Sequence, residues 1–311
     1  MANPVLITKG ISKNFGKFCA LDNVSITVEE NSCIGLLGPN GAGKTTMIKI
    51  LTNLIRPSSG TAQIFGHDVT TESKKVLGHI GTMVETPEFF SYMTPNEVLN
   101  YFGKLRSISD DELDSHINKA LESTRLENVR DKKIGTFSKG MKQRMGIASA
   151  ILHDPELLIL DEPTSGFDPR GKIEMLQIFK NLLSQGKTIL ISSHQLSEIQ
   201  EICDSVAILD KGKLVYVKKL DQIENESKQK IVIKLLASPT ASQMETIKNL
   251  DGVQSLQNTN NELHVEFKGS LSDVSEFLKK LSLNDLQIIS FNTISTDLES
   301  LYLDKVSESI R

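Results

Sequence analysis

The chain has 311 residues, 39% of them apolar and 24% charged, enough to bury a full core in one large domain with a smaller second one. Its formal net charge is −4, with lysines and arginines interleaved among acids, so no broad basic surface exists for a phosphate backbone and nucleic acid is not expected as a partner. Cys19, Cys33 and Cys203 lie far apart without paired spacing, which supports neither a disulfide framework nor a zinc site and suggests buried thiols in a reducing compartment.

The opening stretch MANPVLITKGISKNF lacks a basic start followed by an apolar block, and nowhere do about 18 consecutive apolar residues occur. The chain is therefore expected neither to be secreted nor to span a membrane by itself. An apolar run, Ile34 to Leu37, then predicts a strand entering a glycine-rich loop, and the spacing of Met47, Ile48, Leu51 and Leu54 predicts the helix that follows. The loop itself, Gly38, Pro39, Asn40, Gly41, Ala42, Gly43, Lys44 and Thr45, fits G-x-x-x-x-G-K-[ST], with Thr46 next. Glycines let backbone N–H groups converge on phosphate oxygens, and the helix N-terminus adds partial positive charge. Lys44 would reach the β- and γ-phosphates of a nucleotide, and the Thr45 hydroxyl would ligand Mg²⁺.

Further along, GHIGTMVETPEFF runs from an apolar stretch into a loop holding one acid, Glu85, just before Thr86-Pro87. A helical stretch from about Thr94 to Ile134 follows: Thr94, Pro95 and Glu97 make a capping box, and Ser109 with Glu112 is expected to start a second helix the same way. Ser138 is a good N-cap for the next helix, whose free N–H groups would face an anion. Leu157 to Leu160 reads as a buried parallel strand ending in Asp161-Glu162. Two acids there need a reason; Asp161 on the metal and Glu162 polarising a water supply one. After a turn at Asp210 to Lys213 comes a polar linker, residues 221–229, and then alternation in KIVIKLL, ELHVEFKG and LQIISFNT with helical spacing of Val274, Phe277, Leu278 and Leu281. That pattern predicts a small α+β module of ferredoxin-like order over residues 230–311. From residue 221 onward it has nine Lys/Arg against fourteen Asp/Glu and no clustered catalytic residues.

FSKGMKQRMGIASAIL, residues 137 to 152, narrows the field among nucleotide hydrolases, because it resembles the signature segment of the ATP-binding cassette (ABC) family and lies just upstream of the Asp-Glu strand. Ser138 and Gly140 match the LSGGQ pattern, while Phe137, Lys139 and Met141 depart from it. SGFDPRG resembles that family's D-loop, whose Asp168 would lie at a dimer interface, and TILISSHQLSEIQEICD resembles the segment that delivers His194 toward the γ-phosphate. Phe15 stands where the family carries an aromatic that stacks on adenine, although a core position would suit the ring equally. The resemblance spans about residues 4 to 220 and implies an α/β P-loop NTPase domain, residues 1–220, with a helical subdomain at about 90–150. It also implies ATP and Mg²⁺ as cofactors, a second ATPase subunit forming a head-to-tail homodimer, and transmembrane permease subunits as partners. The location implied is cytoplasmic, held at the membrane through the permease; the resemblance is to drug and peptide-antibiotic exporters, and a soluble non-transport ABC ATPase is the alternative.

The family has Gln where this chain has Glu85. A carboxylate can also ligand Mg²⁺, so metal binding is preserved. Glu85 is expected beside Asp161, Glu162 and the phosphates, with like-charge repulsion of about 4 kcal/mol per close pair at an effective dielectric of 20. A surface acid outside the site is the other reading of this position.

Overall fold

In the computed structural model, which describes residues 3–222, 229–259, 261–269, 271–282 and 286–294, the chain opens with strands β1 (Pro4–Phe15), β2 (Phe18–Val24), β3 (Thr27–Glu29) and β4 (Cys33–Leu37). Helix α1 (Lys44–Leu51), β5 (Ser59–Ile64), β6 (His67–Asp68), α2 (Ser73–His79) and β7 (Ile80–Met83) follow. Three helices, α3 (Pro95–Leu105), α4 (Asp110–Ser123) and α5 (Lys139–Ile151), precede β8 (Leu157–Asp161), α6 (Pro169–Ser184), β9 (Thr188–Ser193), α7 (Leu196–Ile202), β10 (Ser205–Asp210) and β11 (Lys213–Lys219). The chain divides into two compact units between Val217 and Lys218.

The first unit holds two sheets. One is antiparallel, in the order β2-β1-β5-β6 with β3 also on β1; the other runs β11-β10-β4-β9-β8-β7, and β10, β4, β9, β8 and β7 are parallel. Every residue of β4, β8 and β9 is buried, as expected of parallel strands covered on both faces. Leu37 is in register with Ser193, and Asp161 with Ser192. The carboxyl ends of three neighbouring strands therefore open side by side, about 5 Å apart.

Met47, Ile48, Ile50 and Leu51 of α1 are fully buried among residues of both sheets, each contributing about 1.5–3 kcal/mol. The helix ends one turn earlier than the periodicity suggests, and Leu54 is exposed. Asn53 adopts a left-handed φ of 55°, and the N–H groups of Leu54 and Asn53 donate to the carbonyls of Lys49 and Ile50, a Schellman closure that stops the helix. In α3 the capping box forms as expected: Glu97 N donates to Thr94 Oγ1 (3.2 Å) and Thr94 N to Glu97 Oε2 (2.8 Å). At α4 it does not, because Ser109 Oγ donates to Glu112 Oε2 (2.7 Å) instead of accepting from the backbone. Val98, Leu99, Leu113, Ile117, Leu121 and Met145 join α3, α4 and α5 around a separate apolar core.

Cys33 and Cys203, remote in sequence, meet because β4 and β10 are neighbours: their Sγ atoms lie 3.3 Å apart as buried free thiols. Burial, with Cys33 beside it, pushes the Cys203 thiol well above its ordinary value. Cys19 is exposed, against the expectation of a buried thiol.

In the second unit β12 (Gln229–Leu235), α8 (Ala241–Lys248), β13 (Val253–Thr259), β14 (Glu262–Phe267), α9 (Leu271–Ser282) and β15 (Ile288–Ile294) succeed one another. The sheet order β13-β14-β12-β15, antiparallel throughout, with a β-α-β-β-α-β succession, is the ferredoxin-like order. Ile231, Ile233, Leu263, Val265 and Phe267 alternate inward against Val274, Phe277 and Leu281 of α9. Residues 223–228 of the expected linker and the tail from residue 295 lie outside the described residues.

Candidate active site

β4 delivers the glycine loop into α1. Gly38 is packed so closely that a Cβ would lie 2.3 Å from the Leu209 carbonyl oxygen, and Gly43 has φ 106° with the Ala20 carbonyl 2.7 Å from where its Cβ would be. Only glycine fits either place. Gly43 is also the N-cap of α1 and offers no side-chain acceptor, so the first-turn N–H groups of Lys44, Thr45 and Thr46 point out of the helix uncapped. Ala42 is buried and donates to Pro39 O (3.2 Å), closing the turn, while Asn40 and Gly41 are exposed at its tip. Lys44 is 5% exposed and folds back over the loop: Nζ donates to Gly38 O (2.8 Å) and Pro39 O (3.2 Å) and stands 3.4 Å from Glu162 Oε1.

The end of β8 meets this loop. Thr45 Oγ1 donates to Asp161 Oδ2 (2.8 Å), and the other Asp161 oxygen accepts from Ser192 Oγ (2.6 Å) on β9. Ser192 Oγ in turn accepts from Glu162 N (2.9 Å), so one hydroxyl ties the two acids. Glu162 itself has φ 42°, a left-handed conformation that costs a non-glycine residue about 1–2 kcal/mol. The turn sends its carboxylate back between Lys44 and His194, whose Nδ1 lies 3.1 Å from Glu162 Oε2. A carboxylate oxygen accepts, so the proton of that contact sits on Nδ1 of the ring. His194 Nε2 faces Gln195 Nε2 at 3.4 Å. The structure thus brings together Lys44, Thr45, Asp161, Glu162 and His194.

Glu85 lies elsewhere in character. It sits after β7 with φ 64°, its side chain is 63% exposed, and its Oε1 is 2.5 Å from Lys49 Nζ. The expected repulsion among acids is replaced by an ion pair, because Lys49 stands one turn beyond Thr45 on the same face of α1. Phe15, at the end of β1, is half exposed, which removes the core alternative; Lys13 Nζ stands 5.0 Å from its ring centroid.

Ser138 is exposed at the start of α5, where it accepts from Met141 N (3.2 Å). With Lys139, Gly140, Arg144, Phe167 and Asp168 it borders a cleft of about 410 Å³. Phe167 packs against Gly140 so that a Cβ there would meet its ring at 2.9 Å, and the Lys139 side chain lies over Gly166. Asp168 is exposed and caps α6 by accepting from Gly171 N (3.0 Å). No contact within this chain joins Ser138, Gly140 or Asp168 to the Lys44 group among the described residues.

Comparison with known proteins gives this geometry a family. Residues 21–165 match the ABC transporter family. The ABC transporter ATP-binding protein YhcH of Bacillus subtilis (strain 168) is 34% identical over 98% of this chain and 97% of its own length. The chain belongs to the ABC transporter family. It is an ATP-binding ABC ATPase subunit, with the P-loop ABC fold. The bacitracin transport ATP-binding protein BcrA of Bacillus licheniformis is 40% identical to this ATPase over 74% of this chain and 75% of its own. A solved ATP-binding subunit of an ABC transporter superposes with a TM-score of 0.64 and 31% identity, covering 71% of this chain and 92% of the other.

The donor set of the cassette fits Mg²⁺ that arrives with a nucleotide. Thr45 and Asp161 offer hard oxygen atoms already 2.8 Å apart, and among the described residues no group of three or more His, Cys, Asp or Glu could cage an ion alone. Mg²⁺ keeps waters and phosphate oxygens and needs only one or two protein ligands, which suits this pair.

Sequence reading missed the polar residues behind the site. Ser192 and Ser193 are essentially buried at the end of an apolar strand, and that oddity in TILISS is the signal that could have found them. Glu198 is also buried and accepts from Ser193 and from buried Thr164.

Proposed function

We propose that two copies of this ABC ATPase, closing head to tail, power the export of a drug, peptide antibiotic or similar compound through separate transmembrane subunits at the cytoplasmic face of the membrane. The observation that carries the catalytic half is the Glu162 carboxylate held between Lys44 and His194, next to the Thr45–Asp161 pair. Lys44 and the N–H groups of the Gly38 to Thr46 segment hold the β- and γ-phosphates of ATP, exchanging the loop carbonyls for phosphate oxygens. Thr45 and Asp161 would hold Mg²⁺, which when bound neutralises phosphate charge, and Glu85, paired with Lys49 of α1, is the further carboxylate of this reading. Glu162 orients and polarises the attacking water, and His194 contacts the γ-phosphate. Phe15 offers a half-exposed ring face for adenine. The exposed helix start at Ser138 and Gly140, with Asp168 on the rim of the same cleft, is the surface that closes on ATP held by the second copy.

Export is supported by the likeness to BcrA, a bacitracin transport protein. Phe89, Phe90, Met93, Tyr101 and Phe102 line an apolar groove of about 350 Å³, and Phe90 and Tyr101 remain more than half exposed. Such a groove suits an apolar helix of the transmembrane partner. We assign the second unit, beyond about residue 220, to dimer stabilisation or regulation. Among the described residues no helix is long and apolar enough to cross a membrane.

The test is Glu162→Gln in the full-length chain. ATP binding is expected to persist while turnover is lost and two cassettes accumulate as an ATP-bound dimer; undiminished turnover would overturn the catalytic reading. Recovery of the chain with a membrane protein supports export, and recovery with ribosomes or DNA would replace it.

A further inference from the structure

Behind Glu162 and His194 lies a second acid that the reaction does not touch. Glu198, on α7, is 4% exposed, and its Oε2 accepts from Thr164 Oγ1 and from Ser193 Oγ, both at 2.7 Å. Both hydroxyl residues are 2% exposed, so neither bond is shared with bulk water. Thr164 stands two residues after Glu162, and Ser193 immediately precedes His194. One carboxylate oxygen is therefore bonded to both loops whose side chains meet at 3.1 Å.

Lys172 of α6 closes the arrangement. Its Nζ stands 3.2 Å from Glu198 Oε1 as a charge contact, while its hydrogen bond goes to Gln195 Oε1. Glu198 Oε1 itself has no aligned donor. Gln195 follows His194 directly, and its amide nitrogen faces His194 Nε2 at 3.4 Å. Ser193 Oγ also accepts from Gln195 N (2.9 Å), so the peptide after the histidine hangs on the same hydroxyl. A buried carboxylate needs compensation, and these donors and the lysine supply it. Packing alone would place an apolar side chain here; the polar cluster fixes directions that an apolar one would leave free.

We propose that Glu198 is the positioning residue of the reaction centre: it holds the Glu162 loop and the His194 loop in one geometry. The inference rests on the reading of Glu162 and His194 as the reacting pair. Its physical content is that orientation, not chemistry, is lost when Glu198 is removed, and a displacement of about 1 Å costs on the order of 10²-fold in rate.

The experiment measures kcat for ATP hydrolysis and the Kd of a fluorescent ATP analogue in the full-length chain. Glu198→Ala leaves two buried hydroxyls without their acceptor and Lys172 without its opposite charge, and is expected to lower kcat on the order of 10²-fold with an unchanged Kd. Glu198→Gln keeps a carbonyl oxygen for both hydroxyls and is expected to recover most of that loss. Should Glu198→Ala fail to fold, Ser193→Ala and Thr164→Val each cut one arm and are expected to lower kcat in the same way. In a His194→Ala background, Ser193→Ala, which cuts the arm to the histidine loop, should have no further effect on kcat, since the group that arm orients is gone. A merely structural Glu198 would lower thermal stability, add its effect in both backgrounds and leave wild-type kcat in the folded fraction. That result overturns the proposal. If His194→Ala and Glu162→Gln themselves leave turnover intact, the assignment of the reaction centre fails first.

Discussion

Ser192→Ala is the sharpest probe of how the two acids at the end of β8 are held. The hydroxyl is fully buried, donates to Asp161 Oδ1 at 2.6 Å and accepts from Glu162 N at 2.9 Å. Losing a hydrogen bond to a buried charged group costs about 1.5–3 kcal/mol, and leaving a backbone N–H without a partner adds about 1 kcal/mol or more. Asp161 is 6% exposed, so water does not readily replace the lost donor. The sum, about 2.5–4 kcal/mol, corresponds to a fall in the thermal midpoint of the first unit on the order of 10 °C. Differential scanning calorimetry of wild type, Ser192→Ala and Ser192→Thr measures it, with Thr retaining the hydroxyl as the control. A loss under about 1 kcal/mol in Ser192→Ala would mean that the hydroxyl is not a bridge, and the account of how Glu162 tolerates its left-handed φ would go with it.

Two further outcomes are expected. Glu85→Gln and Lys49→Ala should each change stability by less than about 1 kcal/mol, because the ion pair is largely exposed; Glu85→Gln and Glu85→Ala should nevertheless alter the Mg²⁺ dependence of hydrolysis or its coupling to transport, and unchanged ATPase rate, metal dependence and transport in both variants would retire Glu85 from the site. His153 lies under the junction of α3 with the sheet; burial, then Arg106, lowers its pKa to about 4, and its Nδ1 is buried without a partner. Since the unfolded chain binds that proton near pH 6.5, stability from this group is complete above about pH 6.5 and is lost as pH falls toward 4. Urea midpoints of wild type and His153→Gln between pH 4 and 7 check this: the wild type should lose about 1–2 kcal/mol more, after allowance for solvent screening, and parallel curves would refute it.

What could be read from the chain was local. The phosphate loop, the Asp161-Glu162 strand end and the Thr94 cap are each written within about ten residues, and each forms where its own backbone needs dictate. The misses are pairings across strands and helices. Ser192 acquires its role from register with Asp161, 31 positions away, and Lys49 from a loop 36 positions on. The Cys33–Cys203 contact spans 170 positions and follows only from the order of parallel strands. In the second unit α8 and β13 went unread because VQSLQNT is polar and has little alternation; yet Thr240 and Gln243 form a full capping box ahead of α8, a signal that was present in the residues.

Two of the acids with left-handed backbones, Glu85 and Glu162, answer to lysines of α1, one to Lys49 and the other to Lys44. These contacts differ in exposure, and that decides what a nucleotide can do to each. Lys44 is 5% exposed and its ammonium is shared between loop carbonyls and Glu162, so a phosphate that enters the loop must take the same donors and thereby loosens the hold on Glu162. Lys49 sits in the last turn of the helix, away from the loop, and pairs with an exposed carboxylate, where salt screens it. A phosphate in the loop would thus compete for the lysine of one acid and leave the other pair intact. The left-handed turn at Glu162 is tied to Ser192 through its N–H and its carboxylate also meets His194, so loss of the Lys44 contact would leave both of these anchors in place.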